Sequence, residues 1–321
     1  MIDGLVSTII PVFNRPVQLR EAVESVLGQD YRLVEIIIVD DGSTDETYAV
    51  AQALAVQHPD IIHCVTQANA GPGVAREHGR QLAQGEFIQY LDSDDILLPG
   101  KFAVQVQALR HHAEADVAYG ITYFRDSNGA LVVQPHKATG KSIASMFPAF
   151  LVSRWRETAT PLYRASICDK AGPWTDLSLE EDWEYDCRIA SHGGKLVWCQ
   201  KPVSEHRDHG GGRLSGGSVL DPARMRQRAR SHELIYSHAI RAGLQGTPEM
   251  QHFARELFLL SRQCGAAGLA AESRRLFELS RQASGVARSR GLDFRLYKMA
   301  ASILGWVAMG RLSGWLDKAR G

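Results

Sequence analysis

Three aspartates stand close together in the stretch Tyr90-Leu91-Asp92-Ser93-Asp94-Asp95, at the end of an apolar run from Phe87 to Leu91. Such a run is typical of a buried strand, so we expect the carboxylates where that strand ends. Carboxylates this close repel one another unless a cation or a set of hydrogen-bond donors lies among them. A divalent metal site would satisfy them. A turn made by Asp92 and Asp94, with Asp95 helping to start the helix that follows Pro99, is an equally good interpretation of this stretch alone.

A second acidic stretch runs from Ser178 to Asp186. Ser178 and Glu181 have the spacing of a capping box, so the acidic residues could serve only to start a helix and to complement its dipole. Asp182 would then lie in the first turn beside large aromatic side chains. A partly desolvated carboxylate there could act as a general base, and Asp182 is our candidate for that role.

A third stretch, Ser204 to Ser215, combines imidazoles, guanidinium groups and a run of glycines. A loop of this composition can bind a phosphate and close over it, with Arg207 as a cation and His209 also able to bind a metal. The alternative is a solvated, glycine-rich linker. We favour the phosphate-binding loop because a spacer would need neither cations nor metal-binding side chains.

Alternating strands and helices are predicted to bring these groups together. Apolar, β-branched runs predict strands at Leu5–Val12, Val34–Val39 and Ile61–Val65, and each is followed by helical periodicity. Strands that are almost uninterrupted apolar runs indicate a parallel sheet covered on both faces. The carboxyl ends of these strands would share one edge, where open α/β sheets bind ligands. The segments predicted at that edge are Pro11–Arg15, Asp40–Asp45 and Asp92–Asp95.

The common phosphate-binding loops are absent from this edge. No GxGxxG follows the first strand, and the Walker pattern does not occur. If a nucleotide binds, its phosphates therefore need another counter-charge, which a metal at Asp92–Asp95 would supply.

Further along we predict a helix from Lys101 to about His112, a strand at Val117–Phe124 and a hairpin turn at Asp126–Gly129.

The composition is that of an ordinary globular protein. The chain has 321 residues, of which 45% are hydrophobic and 22% charged, and 36 Lys and Arg balance 36 Asp and Glu. This balance gives no indication of nucleic acid as a partner. The five cysteines form no CxxC pair, which favours neither a zinc site nor a disulfide framework and fits a reducing compartment. With no secretion signal and no membrane-spanning run in the sequence, we expect a cytoplasmic protein, with attachment to the inner face of the membrane left open.

Five motifs occur in the order and spacing of family 2 glycosyltransferases, which the chain resembles over residues 5 to 215, about two-thirds of its length. The motifs are Pro11-Val12-Phe13-Asn14, Val39 to Asp45, Asn69-Ala70-Gly71 with Ala75-Arg76, Leu91 to Asp95, and Glu181-Asp182. Each motif alone is a weak signal. The ordered set is specific.

The resemblance implies an α/β protein of the GT-A fold, with a mixed, mainly parallel central sheet. It also implies an inverting transfer of a sugar from a nucleotide-diphosphate donor, usually UDP-linked, with Mn²⁺ or Mg²⁺ as the cofactor. By position, Pro11, Phe13 and Asp41 resemble the residues that bind the base, with Asp41 accepting the N–H of uracil. Asn14 belongs to the same donor-binding motif, and Arg76 resembles a donor-site cation.

The remaining roles are likewise implied by the resemblance. Within the DxD element we expect Asp95 as the foremost metal ligand, Asp94 as a contact of the ribose or the metal, and Asp92 as a mainly structural member of the donor site. Asp182 resembles the general base. Arg207 and His209 resemble the mobile loop that meets the pyrophosphate, with His209 a further metal ligand.

Two departures from the family pattern affect these roles. Glu77 follows Arg76 where the family often has Asn, so the contact of that Asn is open. Glu181 precedes Asp182, which leaves the identity of the base ambiguous between them. Two other functions stay open on the residues alone: a nucleotidyltransferase, which would need a basic glycine-rich loop after the first strand, and a sugar-nucleotide-binding module without catalysis.

We predict a catalytic domain at residues 1–219, with a nucleotide-binding half at 1–100 and an acceptor half at 101–219, followed by a helical region at 220–321. In that region Phe253, Leu257, Leu260 and Ser261 share a helix face, and Gly265–Gly268 predicts a turn before a second helix.

The segment from Leu292 mixes aromatic, aliphatic and cationic residues at helical spacing. It could lie on a membrane surface, or it could pack on the domain or form a homodimer. The acceptor is expected to be a glycan or a lipid-linked sugar.

Overall fold

The protein is described from a computed structural model that covers residues 1–208, 220–285 and 291–318. These residues divide into two compact units. The first comprises Met1–Met146, Arg154–Asp176 and residues 192–208, and it contains the whole β-sheet. The second comprises Phe147–Ser153, Leu177–Ser191 and the described residues from 220 onward.

A single mixed sheet forms the centre of the first unit. Its strands are β1 Ile2–Val12, β2 Val34–Asp40, β3 Ile62–Thr66, β4 Gly85–Tyr90, β5 Ile96–Leu97, β6 Val117–Arg125, β7 Leu131–Val132, β8 Leu162–Arg164 and β9 Leu196–Arg207. Their order across the sheet is β3-β2-β1-β4-β8-β6-β9-β5, with β7 paired to β6. β1 runs parallel to β2 and β4, β2 parallel to β3, and β6 parallel to β9. The short strand β8 is antiparallel to both β4 and β6. Most of the paired residues are parallel, which confirms the predicted mixed, mainly parallel sheet.

Helices cover the sheet and make up the second unit. In chain order they are α1 Pro16–Leu27, α2 Thr47–Gln57, α3 Pro72–Leu82, α4 Lys101–His111, α5 Met146–Ala149, α6 Ala165–Ala171, α7 Glu181–Ser191, α8 Pro222–Arg241, α9 Pro248–Ala266, α10 Ala270–Ala283, α11 Leu292–Leu304 and α12 Trp306–Lys318. Proline at the first turn starts α1, α3, α8 and α9, because its missing N–H would be unpaired there in any case. Among the described residues, no helix has the length and apolar character needed to cross a bilayer.

The core of the first unit holds the site in place. Val6 and Ile10 of β1 and Ile36 and Ile38 of β2 are inaccessible to solvent and pack with the apolar face of α1, as the sequence pattern predicts. On the same sheet α3 approaches β1 closely at Gly79, where an added Cβ would meet the side chains of Ile9 and Val39. The apolar runs therefore fix the strand ends relative to one another.

The second unit begins its long helices with side-chain caps. Asp221 accepts from the Arg224 N–H at 2.9 Å, and Thr247 accepts from the Met250 N–H at 3.2 Å. The predicted helical hairpin is confirmed as α9 and α10, joined by a short turn. Its predicted face is buried at all four positions, Phe253, Leu257, Leu260 and Ser261.

Candidate active site

The ends of β1, β2 and β4 meet at one edge of the sheet, as predicted. Val12, at the end of β1, pairs with Asp40, at the end of β2. On the other side of β1, the Leu91 N–H donates to the Ile9 carbonyl at 3.0 Å, which fixes the start of the segment that carries the three aspartates. The sheet therefore brings the predicted base-binding residues and the DxD element together.

Asp41 is enclosed by donors from the loop that follows β3. Its carboxylate is 4% exposed and accepts from Gln67 Nε2 at 2.8 Å, the Ala70 N–H at 2.9 Å and the Gly71 N–H at 2.8 Å. Because a carboxylate offers about four acceptor positions, these bonds leave room for about one further donor. Gly71 reaches Asp41 at φ 93°, a backbone conformation that favours glycine. A base N–H is a donor of the kind that could occupy the remaining position.

The segment after β1 is fastened to the segment after β2. Asn14, at φ 53°, accepts from the Thr44 N–H at 2.8 Å, while its own N–H donates to Ser43 Oγ at 2.9 Å. Pro11 is buried within β1, whereas Phe13 is 43% exposed and offers an aromatic face at the sheet edge. Asn14 thus has a local structural function that its predicted place in the donor site did not include.

Asp92 forms an ion pair with Arg76, whose Nη2 lies 2.6 Å from Asp92 Oδ1. Burial favours the protonated acid, but the charge and hydrogen bond of Arg76, assisted by Arg154 and His206, outweigh it and lower the pKa of Asp92 below its usual value. Arg76 itself is buried, with its guanidinium 4.9 Å above the ring of Trp174. Arg76 therefore keeps an ionised carboxylate at this edge.

Glu77, which departs from the family pattern, has a structural function. Its carboxylate accepts from Arg80 Nε at 2.9 Å and from the Trp174 N–H at 3.1 Å. These bonds connect α3 to the segment that holds the ring beneath Arg76. The pKa of Glu77 is lowered because its bonds to Arg80 and Trp174 outweigh the effect of burial.

Asp94 is paired with Arg15, which lies in the predicted edge segment Pro11–Arg15 but was given no role of its own. Arg15 Nη1 forms a short ion pair with Asp94 Oδ2, and the two side chains are 24% and 21% exposed. The Arg15 N–H donates to Thr47 Oγ1 at 2.8 Å, which fixes the start of α1 beside α2. The position of Arg15 directly after the first strand was the only sequence signal for this pairing.

Asp95 differs from its two neighbours because it is enclosed. It is 1% exposed, His206 Nδ1 lies 3.0 Å from its Oδ1, and the Arg207 N–H donates to the same oxygen at 3.1 Å. Burial, together with the charges of Asp94 and Asp92, raises the pKa of Asp95 to about 6, although His206 opposes the shift. A turn does form here, with the Asp95 N–H on the Asp92 carbonyl at 3.0 Å. The helix predicted after Pro99 does begin at Lys101, but Gly100 is its N-cap and no side chain caps it, so the role of Asp95 in starting that helix is wrong.

Arg207 lies at the end of β9 and not in a loop, so the predicted loop at 204–215 is wrong for its first four residues. The side chain is largely buried, its Nε donates to the Asp94 carbonyl at 2.6 Å, and its Nη1 pairs with Glu21. This strand pairing was hidden because Ser204 to Arg207 show no apolar run. His209, the other predicted member of the loop, lies outside the described residues.

A cluster around Glu157 adjoins this site and has no sequence motif. Glu157 lies 3.0 Å from His136 Nε2, 2.6 Å from Lys137 Nζ and 3.6 Å from Arg154 Nη1. Burial alone would raise the pKa of Glu157, but these partners and His206 hold it well below its usual range. The His136 ring stacks on His206 at 5.7 Å, and His206 contacts Asp95. The members come from three separate segments, so no short pattern could reveal them.

Asp182 and Glu181 belong to the second unit, where they open α7. The helix begins at Glu181, so Ser178 is not its cap and the predicted capping box is wrong. Glu180 precedes the helix at φ 60° and pairs with Arg228 of α8 at 2.8 Å. Glu181 is buried at 7% exposure, whereas Asp182 is half-buried and accepts from the Trp183 N–H at 2.7 Å. Asp182 is therefore the more accessible of the two candidates for a base.

The donor set at the sheet edge fits a hard divalent cation. Asp92 and Asp94 offer partly exposed carboxylate oxygens, which are ligands that Mg²⁺ and Mn²⁺ prefer. Within residues 1–208, 220–285 and 291–318, no three His, Cys, Asp or Glu side chains gather closely enough to hold an ion alone. Mg²⁺ usually keeps waters and binds substrate phosphates besides one or two carboxylates, so this number of protein ligands is compatible with such a site.

Sequence comparisons place the chain among sugar transferases. The profile of the group described as Glycosyl transferase family 2 matches residues 7–167. An uncharacterized glycosyltransferase of Rickettsia typhi is 33% identical over 187 residues, which are 57% of this chain and 57% of that protein. The GalNAc(5)-diNAcBac-PP-undecaprenol beta-1,3-glucosyltransferase of Campylobacter jejuni is 39% identical over 102 residues, or 32% of this chain and 33% of that enzyme. The chain thus spans little more than half the length of the first relative.

Solved structures share the fold over almost the whole chain. S. aureus TarS 1–349 in complex with UDP-GlcNAc has a TM-score of 0.68 at 19% identity, covering 97% of this chain and 92% of that one. The mannosyltransferase PcManGT of Pyrobaculum calidifontis, in complex with GDP-Man and Mn²⁺, has a TM-score of 0.56 at 18% identity, covering 98% and 87%. At these identities the likeness is one of fold.

Proposed function

Because the chain belongs to glycosyl transferase family 2 and has the GT-A fold, we propose that it transfers a sugar from a UDP-linked donor to a hydroxyl of a glycan or lipid-linked acceptor. The observation that carries this proposal is the meeting of Asp41 and the segment Asp92–Asp95 at one edge of the sheet. An acceptor for a base N–H suits the nucleobase, and a pair of accessible carboxylates suits a divalent cation that the diphosphate would share.

The donor site is built from residues with distinct functions. Asp41 has capacity for one further donor, which suits the N–H of uracil, with Pro11, Phe13 and Asn14 forming the surrounding wall. Arg76 keeps Asp92 ionised at the phosphate end of the site. Arg207 and Glu21 anchor the backbone of Asp94, so its carboxylate is held at the edge of the sheet.

Mn²⁺ or Mg²⁺, bound to Asp94 with the diphosphate oxygens, would neutralise charge on the leaving group. Asp94 is our foremost metal ligand in this proposal, because Asp95 is enclosed by His206 and Arg207 and has a raised pKa. Asp95 as a ligand stays a prediction from the resemblance, as does His209. Asp182 would take the proton from the acceptor hydroxyl in a single, inverting displacement.

One named sequence relative and two solved complexes of structural neighbours bear on the donor and the acceptor. TarS has been solved with UDP-GlcNAc, and the Campylobacter jejuni enzyme is named for an undecaprenol-linked acceptor. PcManGT has been solved with GDP-Man and Mn²⁺, so a guanosine donor is the alternative to test beside the uridine donor. The domain boundary after residue 219 and the cytoplasmic location also stay predictions.

A thermal-shift screen of UDP-GlcNAc, UDP-glucose and GDP-mannose, each with and without Mn²⁺, tests the donor. We expect a UDP-sugar to raise the melting temperature only when the metal is present. A ligand that binds the folded state and not the unfolded state stabilises the folded state. Asp94→Asn should remove the metal-dependent part of the shift, and Asp60→Asn, at an exposed position outside the site, should retain it. A shift with GDP-mannose alone would overturn the choice of base.

Release of free sugar or transfer to an added acceptor separates an enzyme from a binding module. We expect Mn²⁺-dependent hydrolysis of the donor that the screen identifies, with UDP as the product. Donor binding without any hydrolysis or transfer would favour the module. Formation of a nucleotide sugar from a sugar phosphate and UTP would instead support the nucleotidyltransferase alternative.

A further inference from the structure

Helix α11 has two apolar faces, and only one of them is used in the second unit. The inward face carries Phe294 and Ala301, which are 8% and 1% exposed, and Phe294 packs edge-on against Phe277 of α10 at 5.6 Å. The outward face carries four large apolar side chains that remain exposed. They are Leu292 at 72%, Leu296 at 58%, Met299 at 56% and Ile303 at 76%.

The spacing of these four residues makes them a continuous stripe. Steps of four, three and four residues place side chains above one another along one side of a helix. A helix that packs one side on its own protein normally presents charged and polar groups on the other. Here the outward side is as apolar as the inward one, so the stripe is adapted to a second apolar environment.

The next helix repeats the pattern with an aromatic residue. On α12, Leu312 and Trp315 are 43% and 65% exposed, and Arg311 beside them is exposed as well. The opposite side of α12 is used internally, since Gly310 approaches the backbone of α9 closely. Tryptophan is enriched where a protein meets the boundary between lipid and water.

Basic residues accompany both helices. Arg295 is exposed next to the stripe, and Lys298 is 46% exposed although it also pairs with Glu278 at 2.6 Å. The sequence from Arg274 to its end has ten Lys and Arg against three acidic residues, whereas the whole chain is balanced at 36 and 36. An apolar stripe with cations beside it is complementary to an anionic lipid surface.

We propose that the outward faces of α11 and α12 dock on the surface of a membrane that contains anionic phospholipids. The apolar stripe would enter the boundary of the acyl chains while Arg295 and Arg311 remain among the headgroups. A second copy of the chain fits less well, because a symmetric contact places the same basic patch on both partners and supplies no anionic surface of its own. The proposal does not depend on the donor, the metal or the base.

Vesicle flotation tests the proposal with the full chain. We compare vesicles of phosphatidylcholine with vesicles that contain about 30% phosphatidylglycerol. We expect the wild type to float with the anionic vesicles, and Leu296→Glu with Ile303→Glu in one variant to reduce the bound fraction about tenfold. Val56→Glu is the matched control, because Val56 is 80% exposed on α2 of the first unit and should leave binding unchanged.

A charge variant provides a second test in case the double variant misfolds. Arg295→Glu changes only an exposed side chain, so it should keep the wild-type circular dichroism and still bind anionic vesicles several-fold more weakly. Equal flotation of the wild type and both variants, or no flotation at all, would overturn the proposal. It would also be overturned if light scattering showed a dimer in the wild type that the double variant lost, with no lipid binding by either.

Discussion

The two neighbouring acids that open α7 can be distinguished by their surroundings. Glu181 is buried at 7% exposure, while Asp182 is half-buried at the start of the helix. Glu180 and Glu184, on either side, are engaged by Arg228 and by His238 of α8. Among these acids, Asp182 is the one that combines access with a position fixed by its helix.

We predict that Asp182→Asn lowers the turnover of sugar transfer by about 10² to 10⁴, the usual contribution of a positioned general base. Nucleotide-sugar binding, measured by calorimetry, should change less than about twofold because the base acts on the acceptor hydroxyl. Glu181→Gln is the companion variant and should keep turnover within about tenfold. Loss of donor binding with transfer preserved in Asp182→Asn would contradict the assignment.

Glu157 shows how a buried acid can be held ionised. Burial opposes its charge, but His136, Lys137, His206 and Arg154 overcome that effect and lower its pKa below the usual 4.5. A lowered pKa in the folded state means that the acid stabilises the fold above pH 4.5. This contribution is lost as the pH falls through the folded-state pKa.

We therefore predict that Glu157→Gln lowers the free energy of unfolding by about 2 kcal/mol near neutral pH, because it leaves several cationic groups without a charged partner. The difference from the wild type should shrink as the pH is lowered below the usual value for the acid. Urea unfolding near neutral pH and again below pH 4.5 measures this difference in the free energy of unfolding. Glu24→Gln, at an exposed position of α1, is the control. A difference that grows on acidification would refute the sign.

At the scale of elements, the sequence predicted what is local and missed what depends on distant pairing. The strands β2 and β3 and the helix α4 have clear periodicity and clear ends, so their bounds agree with prediction within one residue, whereas β1 begins three residues before its predicted start at Leu5. By contrast, β8 has three residues and exists because it fits between β4 and β6. The strand predicted from the apolar run Phe87–Leu91 is β4, which begins two residues earlier, at Gly85.

The same distinction applies to the site. Asp41 and the DxD residues follow strands directly, so the shared edge of a parallel sheet could be inferred from their positions. The pairing of Arg15 with Asp94 and the stack of His136 on His206 join residues that are about 70 to 80 positions apart. No pattern in a single sequence encodes such contacts, because they depend on the packing of elements between them.

The contact between α9 and α12 gives a prediction about helix packing. A Cβ added at Gly310 would lie 2.7 Å from the Arg262 carbonyl oxygen and close to the backbone of Gly265 and Ala266. A Cβ added at Gly314, one turn later on the same helix, would meet no atom within 4 Å. The same substitution therefore has a different meaning at the two glycines. At Gly310 it tests the close contact between α12 and α9, and at Gly314 it tests only the helix propensity of alanine relative to glycine.

We expect Gly310→Ala to destabilise the second unit by about 1 to 3 kcal/mol, because the backbone of α9 cannot move aside cheaply. Gly314→Ala should be neutral or stabilising by up to about 1 kcal/mol, since alanine favours a helix. Thermal unfolding followed by circular dichroism measures both. If both variants were equally stable, α12 would not pack on α9 through this glycine.

At the scale of the whole molecule, charge and thiol chemistry are unevenly distributed. The net charge of zero conceals a basic end of the sequence, which is the basis of the proposed membrane contact. The cysteines were predicted to form no disulfide framework, and none of the five, all of which lie among the described residues, takes part in a disulfide. Four are buried, namely Cys168, Cys187, Cys199 and Cys264, and Cys64 is partly exposed.

Burial governs the reactivity of these thiols. It raises the pKa of Cys64 to about 11, with a smaller effect from the charge of Asp40, and it raises the pKa of Cys264 to about 12. Because only the thiolate reacts, we predict that Ellman's reagent at neutral pH labels less than one thiol rapidly in the folded protein. All five should react at once in guanidinium. Cys64→Ser should remove the slow labelling of Cys64, which is the first to be seen in the folded protein. Rapid labelling of any remaining thiol in that variant would show that the buried cysteines are accessible.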